Sequence, residues 1–251
     1  MKYAFAGDRK ISCNILKYIM SRGFEPSMLL VSNKKDTTHA KELIKISELS
    51  EDKIIRGELF SNFENIEKLN SLELDYVIGV HFPYIIPKTL LACAKVGFIN
   101  LHPAYLPYNK GWHTPTWAIL DKTKYGATLH FMAEALDAGD IINQKTLKVT
   151  CYDTADSLYK KVLELEEKVF IESFDDLLTL SPKRLKQTKK GTSHNKKDLR
   201  AIKEINLEAS LKTKDIIDRL RALTTNDISE SAYFTKGNKK YAVQIKITKI
   251  D

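Results

Sequence analysis

No stretch of the 251 residues stays apolar for the roughly 18 positions that a membrane-crossing helix needs, so no membrane span is expected. The start, Met1 to Gly7, holds one positive charge and a short apolar run. That is too little for a secretory signal and better suited to a first buried strand. Cysteine is scarce: Cys13, Cys93 and Cys151 are odd in number, far apart and free of C-x-x-C pairs. The pattern argues against a disulfide framework or a thiolate zinc site and suits the reducing cytoplasm. His39, His81, His130 and His194 show no H-x-x-x-H spacing, so no metal is expected. Neither serine nor cysteine stands in a nucleophile motif. Internal repeats and strongly low-complexity tracts are absent as well.

The composition that remains is 43% hydrophobic and 29% charged, enough for one good core and a small appendage. Net charge is +8, which could point to nucleic acid, but the charge is unevenly placed. From Ser181 onward stand 18 Lys+Arg against 8 Asp+Glu, leaving 22 against 24 in the first 180 residues. No aromatic-interleaved basic motif accompanies the tail, so no nucleic-acid partner is expected; a solvated basic surface is the first reading, and attraction to an anionic partner the alternative.

Along the first half, strand and helix signals alternate. This predicts an α/β fold: a Rossmann-like, mostly parallel sheet with helices on both faces. Tyr3 to Ala6 reads as the first strand. Ser12 to Arg22 follows as a helix with Ile15, Leu16, Ile19 and Met20 on one face, stopped by Gly23. Met28 to Val31 is an apolar burst, and a polar helix is expected from Thr38 to Ile46. Asp75 to Val80 reads as a buried strand, and a short helix follows Pro87. The strand Gly97 to Leu101 then runs into His102-Pro103, at the sheet end where such folds bind ligands. Ala127 to Met132 is a further strand, and Ile141-Ile142 resumes another after the turn Asp137-Ala138-Gly139-Asp140. A helix from Asp153 to Leu178 carries Leu158, Val162, Leu165 and Val169 at helical spacing, with Asp153 as expected N-cap. The domain reading is 1–180 as the main domain, 181–197 as a linker and 198–251 as a small C-terminal unit. That unit reads as a helix from Thr213 to Leu223 followed by a hairpin turning at Lys236-Gly237-Asn238.

The candidate chemistry begins at Asn100-Leu101-His102-Pro103. On a strand, positions 100 and 102 point the same way, pairing an amide donor with an imidazole that acts near neutral pH. The loop from Ala104 to Pro115 is rich in proline and polar aromatics without helical period, as functional loops often are. Asn100-Leu101-His102-Pro103-Ala104-Tyr105-Leu106-Pro107 fills every fixed position of N-x-H-P-x-x-L-P, and Asp137-Ala138-Gly139 supplies D-x-G downstream. The pair of motifs resembles the formyltetrahydrofolate-dependent formyltransferases over roughly residues 1 to 180. The loop Tyr108 to Pro115 looks like that of the nucleotide-sugar N-formyltransferases within them.

The resemblance implies a catalytic set of Asn100, His102 and Asp137. It implies 10-formyltetrahydrofolate as formyl donor, with His81, Phe82, Tyr84, Ile85, Ile86 and Asp140 as candidate contacts. Its implied acceptor is a dTDP-linked amino-dideoxyhexose, a 4-amino sugar in preference to a 3-amino sugar, serving surface polysaccharide (O-antigen) synthesis. Arg9, Lys10, Tyr105, Trp112 and His113 are the candidate substrate contacts. Arg9 and Lys10 fit a pyrophosphate and a solvated turn equally well, and Trp112 fits stacking or ordinary packing. A homodimer is expected by analogy. The chemistry stands on its own terms too: amine attack on a formyl carbon builds negative charge on oxygen, which Asn100 and His102 could meet with donors. Asp137 beside His102 could then help move the proton that the amine sheds. The first turn, Gly7 to Ser12, lacks the glycine-rich loop of glycinamide ribonucleotide formyltransferases. Methionyl-tRNA formyltransferases append a barrel, and the residues after Lys190 are not expected to form one. That second activity, and a non-catalytic binding module of the same fold, are the alternatives.

Overall fold

In the computed structural model, residues 1–33 and 39–250 are described. Seven strands form one sheet: β1 (Tyr3–Gly7), β2 (Met28–Val31), β3 (Ile54–Arg56), β4 (Leu74–Val80), β5 (Ala94–His102), β7 (Tyr125–Phe131) and β8 (Ile141–Leu147), in the order β3-β2-β1-β4-β5-β7-β8. The pairs from β3 through to β5 are parallel, while β5 and β7 run antiparallel. Every residue of β1 and β2 is buried, as expected of parallel strands covered on both sides.

Contacts divide the chain into two compact units. The first holds Met1–His102, Thr128–Gln144 and Glu166–Gln187; the second holds Pro103–Ala127, Lys145–Leu165 and Thr188–Asp251. In the first unit the parallel strands are connected through α1 (Lys10–Ser21), α2 (Ala40–Ser47), α3 (Phe63–Ser71) and α4 (Lys88–Leu91). Helix α1 buries Ile11, Cys13, Ile15, Leu16 and Ile19, and Gly23 just beyond it takes a left-handed φ of 84°. The expected start of the next helix at Thr38 lies outside the described residues. Helix α3 and strand β3 were not legible in the sequence. Asn62 caps α3 by accepting the Asn65 amide at 3.0 Å. Burial pushes the Cys13 and Cys93 thiols up to about 11, so neither is a thiolate nucleophile near neutral pH.

The second unit contains α5 (Thr114–Leu120), the short pair β6 (Lys110–Gly111) and β9 (Ser193–His194), α7 (Lys196–Lys203), α8 (Thr213–Ala222) and the hairpin β10 (Ala232–Lys236) with β11 (Lys239–Val243). The long helix α6 (Ala155–Leu178) begins in this unit. Its cap differs from expectation. Thr154 Oγ1 accepts the Ser157 amide at 3.2 Å, and Ser157 Oγ accepts the Thr154 amide at 3.0 Å, so Thr154 caps the helix. Asp153 instead is buried one residue earlier, where it receives the Thr150 amide, the Thr150 hydroxyl and the Lys161 ammonium. The stretch 181–197, expected as a simple connection, carries structure: Leu185 bridges Ile141, and β9 pairs with β6. Among the described residues, no helix is long and apolar enough to cross a membrane.

Candidate active site

The first unit gathers polar side chains at the ends of β4 and β5 and in the turn between β7 and β8. Strand β5 places Asn100 and His102 on one face, two residues apart. The antiparallel register sets Asn100 opposite His130 of β7, and His102 opposite Thr128. The turn that follows β7 brings Asp137 back: its Oδ2 lies 3.6 Å from His102 Nε2, and its Oδ1 lies 3.8 Å from His130 Nε2. Asp137 holds a left-handed φ of 48°, a conformation that aspartate tolerates better than most residues and that often marks functional turns. A carboxylate thus stands in ion-pair range of two imidazoles, next to a side-chain amide.

His130 is a member of this cluster that sequence reading passed over. It is buried, its Nδ1 is 2.7 Å from the Phe131 carbonyl oxygen, and its Nε2 is 3.5 Å from Asn100 Nδ2. With Nδ1–H donating to the carbonyl, Nε2 is the atom that faces the Asn100 amide. The signal was the alternation in β7, but only the strand pairing reveals that His130 faces Asn100.

The loop after β4 is more mixed. His81 Nε2 lies 2.9 and 3.1 Å from the two oxygens of fully buried Glu166, so its ring is committed to α6. Phe82 and Tyr84 pack on Phe60, and the Tyr84 hydroxyl donates to Asn33 Oδ1 at 2.9 Å. Ile86 is buried whereas Ile85 is 91% exposed. Asp140 accepts the Phe131 amide through its carbonyl at 2.8 Å. Of the first-turn residues, Lys10 pairs with Glu42 at 2.7 Å and Arg9 lies 4.0 Å from Asp8. Ser12 ties this turn to β4: it accepts the Asp8 amide and donates to the Val80 carbonyl.

Tyr105, Trp112 and His113 belong to the second unit. Lys124 lies over the Tyr105 ring at 5.6 Å, and Lys196 over the partly exposed Trp112 ring at 4.0 Å. His113 lies 3.4 Å from Glu230, yet burial, aided by Lys196 and Lys203, holds its imidazole below the usual histidine range. The unfolded chain therefore binds the proton first as pH falls below 6.5, so acid lowers stability in that window. Asn tolerates the left-handed backbone found at His113, and His113→Asn is expected to make the acid-side fall of Tm shallower. An unchanged slope in thermal melts across that pH range would contradict this account. Among the described residues, no group of three or more His, Cys, Asp or Glu is placed to hold a metal ion.

Residues 2–174 match the family described as formyl transferase, and residues 198–249 match the N-formyltransferase dimerization C-terminal domain. The chain belongs to the formyl transferase family. As such it is similar to the dTDP-4-amino-4,6-dideoxyglucose formyltransferase of Mycobacterium tuberculosis, at 28% identity over 171 residues, 68% of this chain and 72% of that one. Among solved structures it resembles a 4-N formyltransferase from Francisella tularensis, at 28% identity and a TM-score of 0.85, with 99% of each chain covered. The methionyl-tRNA formyltransferase of Thermotoga maritima is also a relative, at 27% identity over 71% of this chain but only 59% of its own length.

Proposed function

We propose that this formyl transferase moves a formyl group from 10-formyltetrahydrofolate to the amino group of a dTDP-linked amino-dideoxyhexose. The 4-amino sugar is favoured over the 3-amino sugar, and the product feeds bacterial surface polysaccharide (O-antigen) synthesis from the cytoplasm. The observation that carries this reading is the meeting of Asn100, His102 and Asp137 within one compact unit. The likeness to a 4-N formyltransferase along nearly the whole chain supports the choice of acceptor. The N-terminal 1–180 would hold the catalytic machinery, 181–197 would link it, and 198–251 would serve a homodimer.

The residues present fit a folate. Ile85, just before α4, is 91% exposed and Leu136, in the turn before β8, is 57% exposed; the Lys88–Glu134 ion pair joins α4 to that turn at 3.2 Å. Apolar side chains left in the open beside polar backbone suit a flat ring with a polar edge. Bound there, the folate supplies the formyl carbon; the rest is done by this chain. His102 Nε2 and the Asn100 amide donate to the oxygen that becomes anionic as the amine attacks, a contribution of about 3–4 kcal/mol for one well-placed donor. Asp137 places negative charge beside His102, accepts the proton that the attacking nitrogen sheds, and returns it to the folate nitrogen that departs as its bond to the formyl carbon breaks. His130 steadies the Asn100 amide from behind.

Incubating the protein with 10-formyltetrahydrofolate and dTDP-4-amino-4,6-dideoxyglucose should add the mass of one formyl group to the sugar nucleotide. A gain with the 3-amino sugar alone would reassign the acceptor. The basic tail and the Thermotoga relative keep methionyl-tRNA as the second reading. Strong, salt-dependent binding of initiator tRNA, with formylation of its methionine and none of either sugar, would decide for that acceptor.

A further inference from the structure

The turn that carries Asp137 is held from beneath by a segment that sequence reading assigned to a linker. Arg184 Nη2 donates to the Val96 carbonyl at 2.7 Å while its guanidinium lies 3.4 Å from the centre of the Phe131 ring. Leu185 exchanges two backbone hydrogen bonds with Ile141, at 2.8 and 2.9 Å. Gln187 then reaches the turn itself: its Nε2 donates to the carbonyls of both Asp137 and Gly139, at 2.9 and 2.8 Å. One side-chain amide thus uses both of its N–H bonds to fix the backbone on either side of Ala138. The segment crosses the base of the turn as a strap, fastened at β5, at the start of β8 and at Asp137.

The turn has reason to need it. Asp137 sits at a left-handed φ, and within the turn the Ala138 amide donates to the Ala135 carbonyl at 3.2 Å. Gln187 ties the carbonyls of residues 137 and 139 to one side-chain amide. The 3.6 Å approach of the Asp137 carboxylate to His102 depends on where that backbone lies. We infer that Gln187 is a positioning residue, which acts through the turn to keep the Asp137 carboxylate at His102. The inference rests on the formyl-transfer role proposed above for Asp137.

Gln187→Met keeps the length of the side chain and removes both donors. It is expected to lower kcat by roughly 10- to 100-fold, the range that a misplacement of about 1 Å commands, with KM for both substrates within about twofold. Amide hydrogen exchange over residues 135–141 should quicken, while the thermal midpoint moves little. In an Asp137→Asn background the same change should cost little further, because both act at one point. Lys186→Ala, an exposed neighbour on the strap, should match the wild type. A kcat within about twofold of wild type in Gln187→Met would overturn the inference, as would a loss that persists in full beside Asp137→Asn. If the wild-type protein formylated no acceptor, the proposed function would fail by itself. Exchange would then read the strap alone: quickened exchange supports its hold on the turn, and unchanged exchange refutes it.

Discussion

His102→Ala and Asn100→Ala are each expected to lower kcat for formyl transfer by about 100- to 10,000-fold, with much smaller changes in KM. The reason is where these donors act. They face the position of an oxygen that bears little charge in the bound formyl group and nearly a full charge as the new bond forms, so their loss is felt in the transition state. His102 is buried at the end of β5, and its truncation leaves a small void. That void costs about 1–3 kcal/mol of stability, which slows turnover little while the protein stays folded. Asp137→Asn is the cleaner change, since it keeps the volume and removes only the charge beside the imidazole. It should fall in the same range, and the pair His102→Ala with Asp137→Asn should be little slower than His102→Ala alone, because an ion pair loses its value once. Steady-state rates of the purified variants with sugar nucleotide and formyl donor, beside circular dichroism, measure this. Wild-type turnover from His102→Ala would retire the assignment.

Much of the frame was readable because it depends on local pattern. Apolar runs marked β1, β2, β4 and β5, and the spacing of Ile15, Leu16 and Ile19 marked α1. The dipeptide-spaced Asn100 and His102 needed only the alternation of a strand. What stayed hidden depends on pairing between distant segments. His130 looked like one more buried strand residue until the antiparallel register set it opposite Asn100. Gln187 looked like part of a polar connection, since no short-range pattern reports a side chain that bonds to a turn 50 residues away. Asp153 was misjudged for a different reason. Asp153 and Thr154 both make good helix caps, and the choice fell to the neighbour that Lys161 and Thr150 did not claim. Helix α3 was missed because its exposed face is polar and only Leu69 is fully buried, so little periodicity survives.

Gly139→Ala is expected to cost both activity and stability, whereas Gly237→Ala should cost only a little stability. The two glycines differ in what surrounds them. A Cβ on Gly139 would stand 1.9 Å from the Phe131 carbonyl oxygen and 2.6 Å from its carbon, where real Cβ atoms stay beyond 3.0 Å. Neither atom is the tip of a flexible side chain, and the Phe131 amide is itself bound to the Asp140 carbonyl at 2.8 Å, so that strand cannot easily give way. The turn must retreat instead, by roughly 1 Å, and Asp137 two residues earlier moves with it. A shift of that size withdraws the carboxylate from His102 and should lower kcat by about 10- to 100-fold. The clash with the Phe131 backbone must also be relieved by distorting the close packing of strand and turn, so the thermal midpoint falls as well. At Gly237 a Cβ would meet nothing within 4 Å; the penalty is only the left-handed φ of 60°, about 1–2 kcal/mol, in a hairpin turn of the second unit. Rates per folded molecule, measured well below the melting temperature of each variant, separate the two effects. If Gly139→Ala turned over like the wild type, the turn would be shown to tolerate displacement, and catalysis could not depend on where Asp137 is held.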